Sequence, residues 1–188
     1  MTAAFEERYR EDPDPWRTAT DPYESEKRAR TLEACGPGPF ASACDLGAGT
    51  GVLAAELAPR CERLLALDGA PTAVAEAARR LRPFPHAEAR TAALPAGLPA
   101  GPFDLVVASE ILYYLDDDAF HTTLGWLAGA ALAPGARLVA VHWLGSAPDL
   151  CRSAADVGAA LAATAGLHVL DRGAPTEGFR LDVLERDA

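Results

Sequence analysis

Apolar and polar positions along the chain alternate between two periods, and the alternation marks out strands and helices. Short apolar runs at 42–46, 63–67, 103–109 and 137–143 read as strands, with a weaker one at 86–90. Phe103-Asp104-Leu105-Val106-Val107-Ala108-Ser109 is apolar nearly throughout, as a strand buried on both faces should be. Between these runs the spacing turns helical. A helix over 51–58 is stopped by Pro59, and one over 71–82 places Val74, Ala77, Ala78 and Leu81 on one face. Asp116-Asp117-Asp118 opens another, whose stripe is Phe120, Leu124, Leu127 and Ala131; carboxylates suit the positive end of its dipole. Ser153 and Asp156 form a capping-box pattern before Val157, Ala160, Leu161 and Thr164, and Gly166 ends that helix. Two last strands, about 167–171 and 179–185, are joined by a turn rich in Gly and Pro.

Alternating strand and helix predicts an α/β fold with a mostly parallel sheet and helices on both faces. The last two strands have no helix between them, so they pair antiparallel and leave one reversed strand. The first 35 residues stand apart. Residues 3–10 can form a short helix, and Pro13 and Pro15 then interrupt it. Asp21-Pro22-Tyr23-Glu24 reads as a capped helix start, with Glu24 completing a capping box, and the helix to about Ala34 is charged with little apolar face. Trp16 and Tyr23 are unusual ornaments for a solvated arm, so the segment is also a candidate lid.

The whole chain of 188 residues suits one domain, with 1–35 as arm or lid and 41–185 as core. Twenty-seven acidic against 17 basic residues give a net charge of −10, which argues against nucleic acid as a general partner. Cys35, Cys44, Cys61 and Cys151 lack zinc-ligand spacing, so no metal is expected. No apolar run approaches a membrane span, and the first ten residues lack a signal-peptide core; a cytoplasmic monomer or weak dimer is expected.

The sharpest chemical motif is Asp45-Leu46-Gly47-Ala48-Gly49-Thr50-Gly51, which follows the first strand and opens a helix. Glycines there let a ligand approach the backbone. Asp68, at the end of the second strand, can accept hydrogen bonds from both ribose hydroxyls of a nucleoside. A dinucleotide site wants G-x-G-x-x-G, and here the third glycine comes one residue early.

The pattern D-x-G-x-G-x-G resembles that of class I S-adenosylmethionine (SAM)-dependent methyltransferases. Phe103 to Val107 resembles their fourth strand, and Leu132-Ala133-Pro134-Gly135 the turn before their fifth. Outside that core, Asp12-Pro13-Asp14-Pro15-Trp16, Asp21 to Glu24 with Lys27, Ser109-Glu110-Ile111-Leu112-Tyr113-Tyr114 and His142-Trp143 are similar to the NodS group. That group N-methylates the free amine of a deacetylated chitooligosaccharide, and its N-terminal arm folds over the cofactor.

The resemblance implies a Rossmann-like seven-stranded sheet and SAM as methyl donor, with S-adenosylhomocysteine as product. It implies cofactor contacts from Asp45, Gly47, Ala48, Gly49, Gly51, Asp68, Gly69 and Ser109, and from Trp16, Tyr23 and Lys27 of the arm, Lys27 toward the cofactor carboxylate. The family's adenine-contacting acid after the third strand is missing from Arg90-Thr91-Ala92-Ala93-Leu94, so backbone groups of Ala92 or Ala93, or Thr91, would serve adenine.

Glu110, at the carboxyl end of the fourth strand, is a candidate proton acceptor or a magnet for a cationic amine. His142, ending the fifth strand, is the better base if the acceptor is a hydroxyl. Tyr113 and Tyr114 could stack on a sugar or orient the methyl group. The expected acceptor is an amine of an amino sugar or small natural product. A hydroxyl acceptor, an NAD-dependent reductase and a non-catalytic SAM-binding module are the alternatives.

Overall fold

The computed structural model describes residues 2–173 and 178–187. In chain order the elements are α1 (Thr2–Glu11), α2 (Pro22–Cys35), β1 (Ala43–Leu46), α3 (Val52–Leu57), β2 (Leu64–Asp68), α4 (Pro71–Leu81), β3 (Ala87–Thr91), β4 (Phe103–Ser109), α5 (Asp117–Trp126), β5 (Leu132–Trp143), α6 (Ala154–Ala163), β6 (Leu167–Arg172) and β7 (Phe179–Arg186). A 3-10 turn at Ala58–Arg60 extends α3, a second at Leu112–Tyr114 follows β4, and a π-helical turn at Leu127–Ala131 extends α5. The expected Gly/Pro-rich turn between β6 and β7 falls partly on residues 174–177, outside the described residues.

The seven strands run in the order β3-β2-β1-β4-β5-β7-β6. Only β7 is reversed, lying antiparallel to both β5 and β6. The strand order changes direction between β1 and β4, and open parallel sheets bind ligands in the crevice at the carboxyl ends beside such a switch.

The sheet is covered on both sides. Val106 and Ala108 of β4 join one cluster with Leu46, Leu138, Leu124 and Leu161. Leu105 and Val107 join another with Leu32, Leu57 and Leu81. Alternate residues of one strand thus enter opposite cores, the period-2 rule acting on a strand with no exposed face. Among the described residues, no helix is long and apolar enough to cross a membrane.

Several local expectations shift. The buried face of α4 is Ala73, Ala77 and Leu81; Val74 is half-buried and Ala78 exposed. Spacing of four between small residues lets α3 come close: a Cβ on Gly51, whose φ is +76°, would lie 2.7 Å from the Ala77 Cβ. β5 begins at Leu132 rather than Arg137, because pairing with β4 jumps from Phe103↔Leu132 to Leu105↔Arg137 across a bulge. The Ser153–Asp156 capping box forms with both reciprocal bonds.

The charged helix α2 is no solvated arm. It buries Lys27, Thr31, Leu32 and Cys35. Asp21 accepts the Tyr23 backbone N–H at 2.8 Å, but Glu24 does not complete the box; it turns to Lys27. The link from α1 to α2 is ordered by Asp14, whose carboxylate accepts from the Thr18 N–H and hydroxyl and the Ala19 N–H. α1 docks on α4 through Glu6, which accepts both the Thr72 N–H and the Thr72 hydroxyl at that helix's N-terminus.

Candidate active site

A cavity of about 580 Å³ lies at the carboxyl ends of β1, β2 and β4 beneath the N-terminal helices. Asp45, Gly47, Ala48, Gly49, Asp68, Gly69, Ser109, Glu110, Tyr113, Tyr114, Trp16, Tyr23 and Lys27 all line it. Gly51, Ala92, Ala93 and His142 do not. Gly51 serves the approach of α3 to α4. Ala92 is buried and donates its N–H to the Asp68 carbonyl, and Thr91 and Ala93 are exposed.

Asp45 ends up at the floor. Its side chain is buried, and no described residue donates to its Oδ2. Burial, with Asp68 adding a second negative charge, pushes its pKa up to about 7. Asp68 is better served: Oδ2 accepts the Gly49 N–H at 2.9 Å and Oδ1 the Ala70 N–H at 2.8 Å. Burial raises the Asp68 pKa, and these backbone donors oppose the rise.

Glu110 has φ +58°, a left-handed conformation uncommon for a residue with a Cβ. The strain turns its carboxylate into a hub. Oε1 accepts Lys27 Nζ at 3.0 Å, and Oε2 accepts the Trp143 N–H at 3.1 Å and the Tyr113 hydroxyl. Lys27 Nζ also donates to Glu24 at 2.8 Å. Burial opposes charge on Lys27, but Glu110 and Glu24 prevail and hold its pKa above the usual lysine value. Lys27 thus bridges two carboxylates of its own chain at the cavity wall.

His142 is a correction. It was expected to border the crevice as a base. Its side chain is 1% exposed and outside the lining, with no hydrogen-bond partner for Nε2 among the described residues. Burial, followed by Arg180 and Lys27, pulls its pKa down to about 3, so the ring is neutral. Its contact is the Tyr113 ring, 5.0 Å away centroid to centroid. Its neighbour Trp143, on the opposite face of the strand, is the residue that lines the cavity.

The N-terminal helix supplies a wall that sequence reasoning passed over: Phe5, Arg8 and Tyr9. Tyr9 is buried against Ala70 and Ala73, and a Cβ on Gly49 would lie 2.8 Å from its hydroxyl. Rings run without a break from arm to sheet: Trp16 stacks on Phe5, Phe5 meets Tyr114 edge-on, and Tyr114 meets Tyr113. Burial, then Asp149, pushes the Tyr114 phenol up to about 12. The signal for this wall was Phe5 and Tyr9 at helical spacing, one turn apart.

A family profile described as Nodulation protein S (NodS) matches residues 4–170. Nodulation protein S of Sinorhizobium fredii is 33% identical over 141 residues, which is 74% of this chain and 63% of that protein. The Rhizobium tropici protein of the same name is 36% identical over 138 residues, 72% of this chain and 56% of that one. The chain thus spans about three-fifths of the length of these relatives. The crystal structure of the N-methyltransferase NodS from Bradyrhizobium japonicum, in complex with S-adenosyl-L-homocysteine, superposes with a TM-score of 0.87 at 27% identity, covering 100% of this chain and 99% of that one.

Proposed function

Because this chain belongs to the NodS family, we propose that it is a SAM-dependent N-methyltransferase, and that its acceptor is an amine on an amino sugar. The observation that carries the reading is Asp45. A buried carboxylate with one oxygen lacking a donor, beside a glycine turn, fits the methionine ammonium of the cofactor. Asp68 fits a ribose: each oxygen accepts one backbone N–H and keeps lone pairs for a hydroxyl.

SAM would supply an activated methyl on a sulfonium sulfur. The chain's own work is then positioning and exclusion of water. Tyr9, Phe5 and Trp16 cover the cavity from one side, and Ser109, Glu110 and the two tyrosines face it from the sheet. Glu110 is occupied by Lys27, Tyr113 and the Trp143 backbone, so it holds Tyr113 in place rather than taking a proton.

The lack of imidazole supports nitrogen over oxygen. Among the described residues that line the cavity there is no histidine. An alcohol would need a strong base to attack, whereas an amine bound as its ammonium can lose its proton to solvent before attack.

Calorimetry with SAM and S-adenosylhomocysteine tests the cofactor, and mass spectrometry of a reaction with chitosan oligomers tests the acceptor. The expected product carries added methyl on nitrogen. A protein that binds neither compound refutes the methyltransferase reading. Transfer to a hydroxyl alone would refute the amine.

A further inference from the structure

Among the described residues five carboxylates line the cavity; three are held by partners in the chain, and Asp45 goes to the cofactor on the reading above. Glu24 and Glu110 share Lys27. Asp68 is held by backbone N–H groups, and Asp45 lies at the floor beside the glycine turn. The fifth, Asp149, is held differently. Its partner is Arg8 of α1, at 2.8 Å, and both side chains are partly exposed. A pair so placed is worth little and exchanges easily.

The surroundings of that pair describe a cation site. The Arg8 guanidinium lies 5.4 Å from the Phe5 ring centroid and 5.9 Å from that of Trp16. A positive group is thus held by one carboxylate and two aromatic rings, an arrangement that favours organic cations. Tyr114 closes the other side: its ring meets Phe5 edge-on at 4.9 Å, and it keeps its phenolic proton. Ala147 and Pro148, next to Asp149, line the same cavity.

We propose that Asp149, with the Phe5 and Trp16 rings, is the acceptor's cation subsite, and that an ammonium-bearing acceptor binds there in exchange for Arg8. The inference rests on the amine-acceptor reading above and concerns binding alone. It moves recognition of the cationic amine from Glu110, whose charge Lys27 already answers, to the mouth of the cavity.

The experiment uses the full chain saturated with S-adenosylhomocysteine. It is titrated by calorimetry with the β-1,4-linked glucosamine dimer and with its N,N'-diacetylated form, at a pH where the amine is protonated. Asp149→Asn should weaken binding of the amine by about tenfold or more, the loss of one charged hydrogen bond. Arg8→Gln should tighten it, and the diacetylated sugar should respond to neither change.

Arg8→Gln weakening the amine as much as Asp149→Asn, or losing S-adenosylhomocysteine, would make the pair a mere latch and overturn the proposal. Unchanged amine affinity in Asp149→Asn would overturn it as well. So would an S-adenosylhomocysteine-loaded wild type that does not bind the amine, and that result would leave the methyltransferase reading standing. Failure of the wild type to bind S-adenosylhomocysteine would remove both.

Discussion

Lys27 Nζ lies 3.0 Å from Glu110 Oε1, joining the second helix of the arm to the carboxyl end of the central strand β4. The lysine is 5% exposed. Two buried or half-buried charges that answer each other are costly to separate, because the survivor is left desolvated.

Lys27→Met should therefore destabilise the protein by about 3 kcal/mol, the lower end for a broken buried pair because Glu110 keeps some solvent access. The variant Lys27→Met/Glu110→Leu should recover part of the loss. Urea denaturation of the two variants and the wild type measures both effects. Equal destabilisation in the single and double variants would show that the pair contributes packing only.

Asp45 makes the ligand-free protein less stable as the pH rises toward neutrality. Its folded-state pKa, about 7, stands above the ordinary carboxylate value. The folded form thus holds a proton that the unfolded form has given up, and stability falls as pH rises from about 4 toward 7. Asp45→Asn should remove that fall, raising stability at neutral pH by about 2–4 kcal/mol. It should also weaken binding of S-adenosylhomocysteine, since the buried oxygen would no longer carry charge. Wild type should release a proton on binding near pH 6, which titration in buffers of different ionisation heat detects.

His142 has the opposite sign. Its folded-state pKa of about 3 lies below the ordinary imidazole value, so the unfolded chain binds the proton first. Stability is complete above about 6.5 and falls by about 1.4 kcal/mol per unit as pH drops below it. His142→Leu should flatten that limb in denaturation curves at pH 5 and 6. Because the ring is outside the cavity lining, methyl transfer at pH 8 should persist in this variant. Abolished turnover with intact folding would restore the imidazole to the chemistry.

Tyr9 anchors α1. It is buried, lies under the glycine turn at Gly49 and touches Ala70 and Ala73. Tyr9→Ala should weaken docking of the helix by about 3 kcal/mol, at the low end for loss of a large buried ring. Hydrogen exchange should then accelerate in α1 while β4 stays protected. Cofactor affinity should drop with it. Acceleration throughout the chain would instead mark Tyr9 as part of the global core.

Much of the site could be read before any coordinates. The glycine motif and Asp68 announce themselves because a turn that brings backbone to a ligand needs glycines at fixed offsets from a strand. Phe103 to Ser109 declares a two-faced strand by composition. His142 and Trp143 could not be separated in that way. Successive side chains of a strand point to opposite faces, and which one meets the cavity depends on how β5 registers on β4 and β7.

Local periodicity, capping and glycine placement suffice to read off the order of elements, the reversed last strand and the glycine turn. The partners of charged groups belong to the packed fold. Lys27 meets Glu110, and Arg8 meets Asp149, across long stretches of chain. The energy of such pairs depends on distance and on the water excluded around them, and neither quantity is written in the spacing of residues.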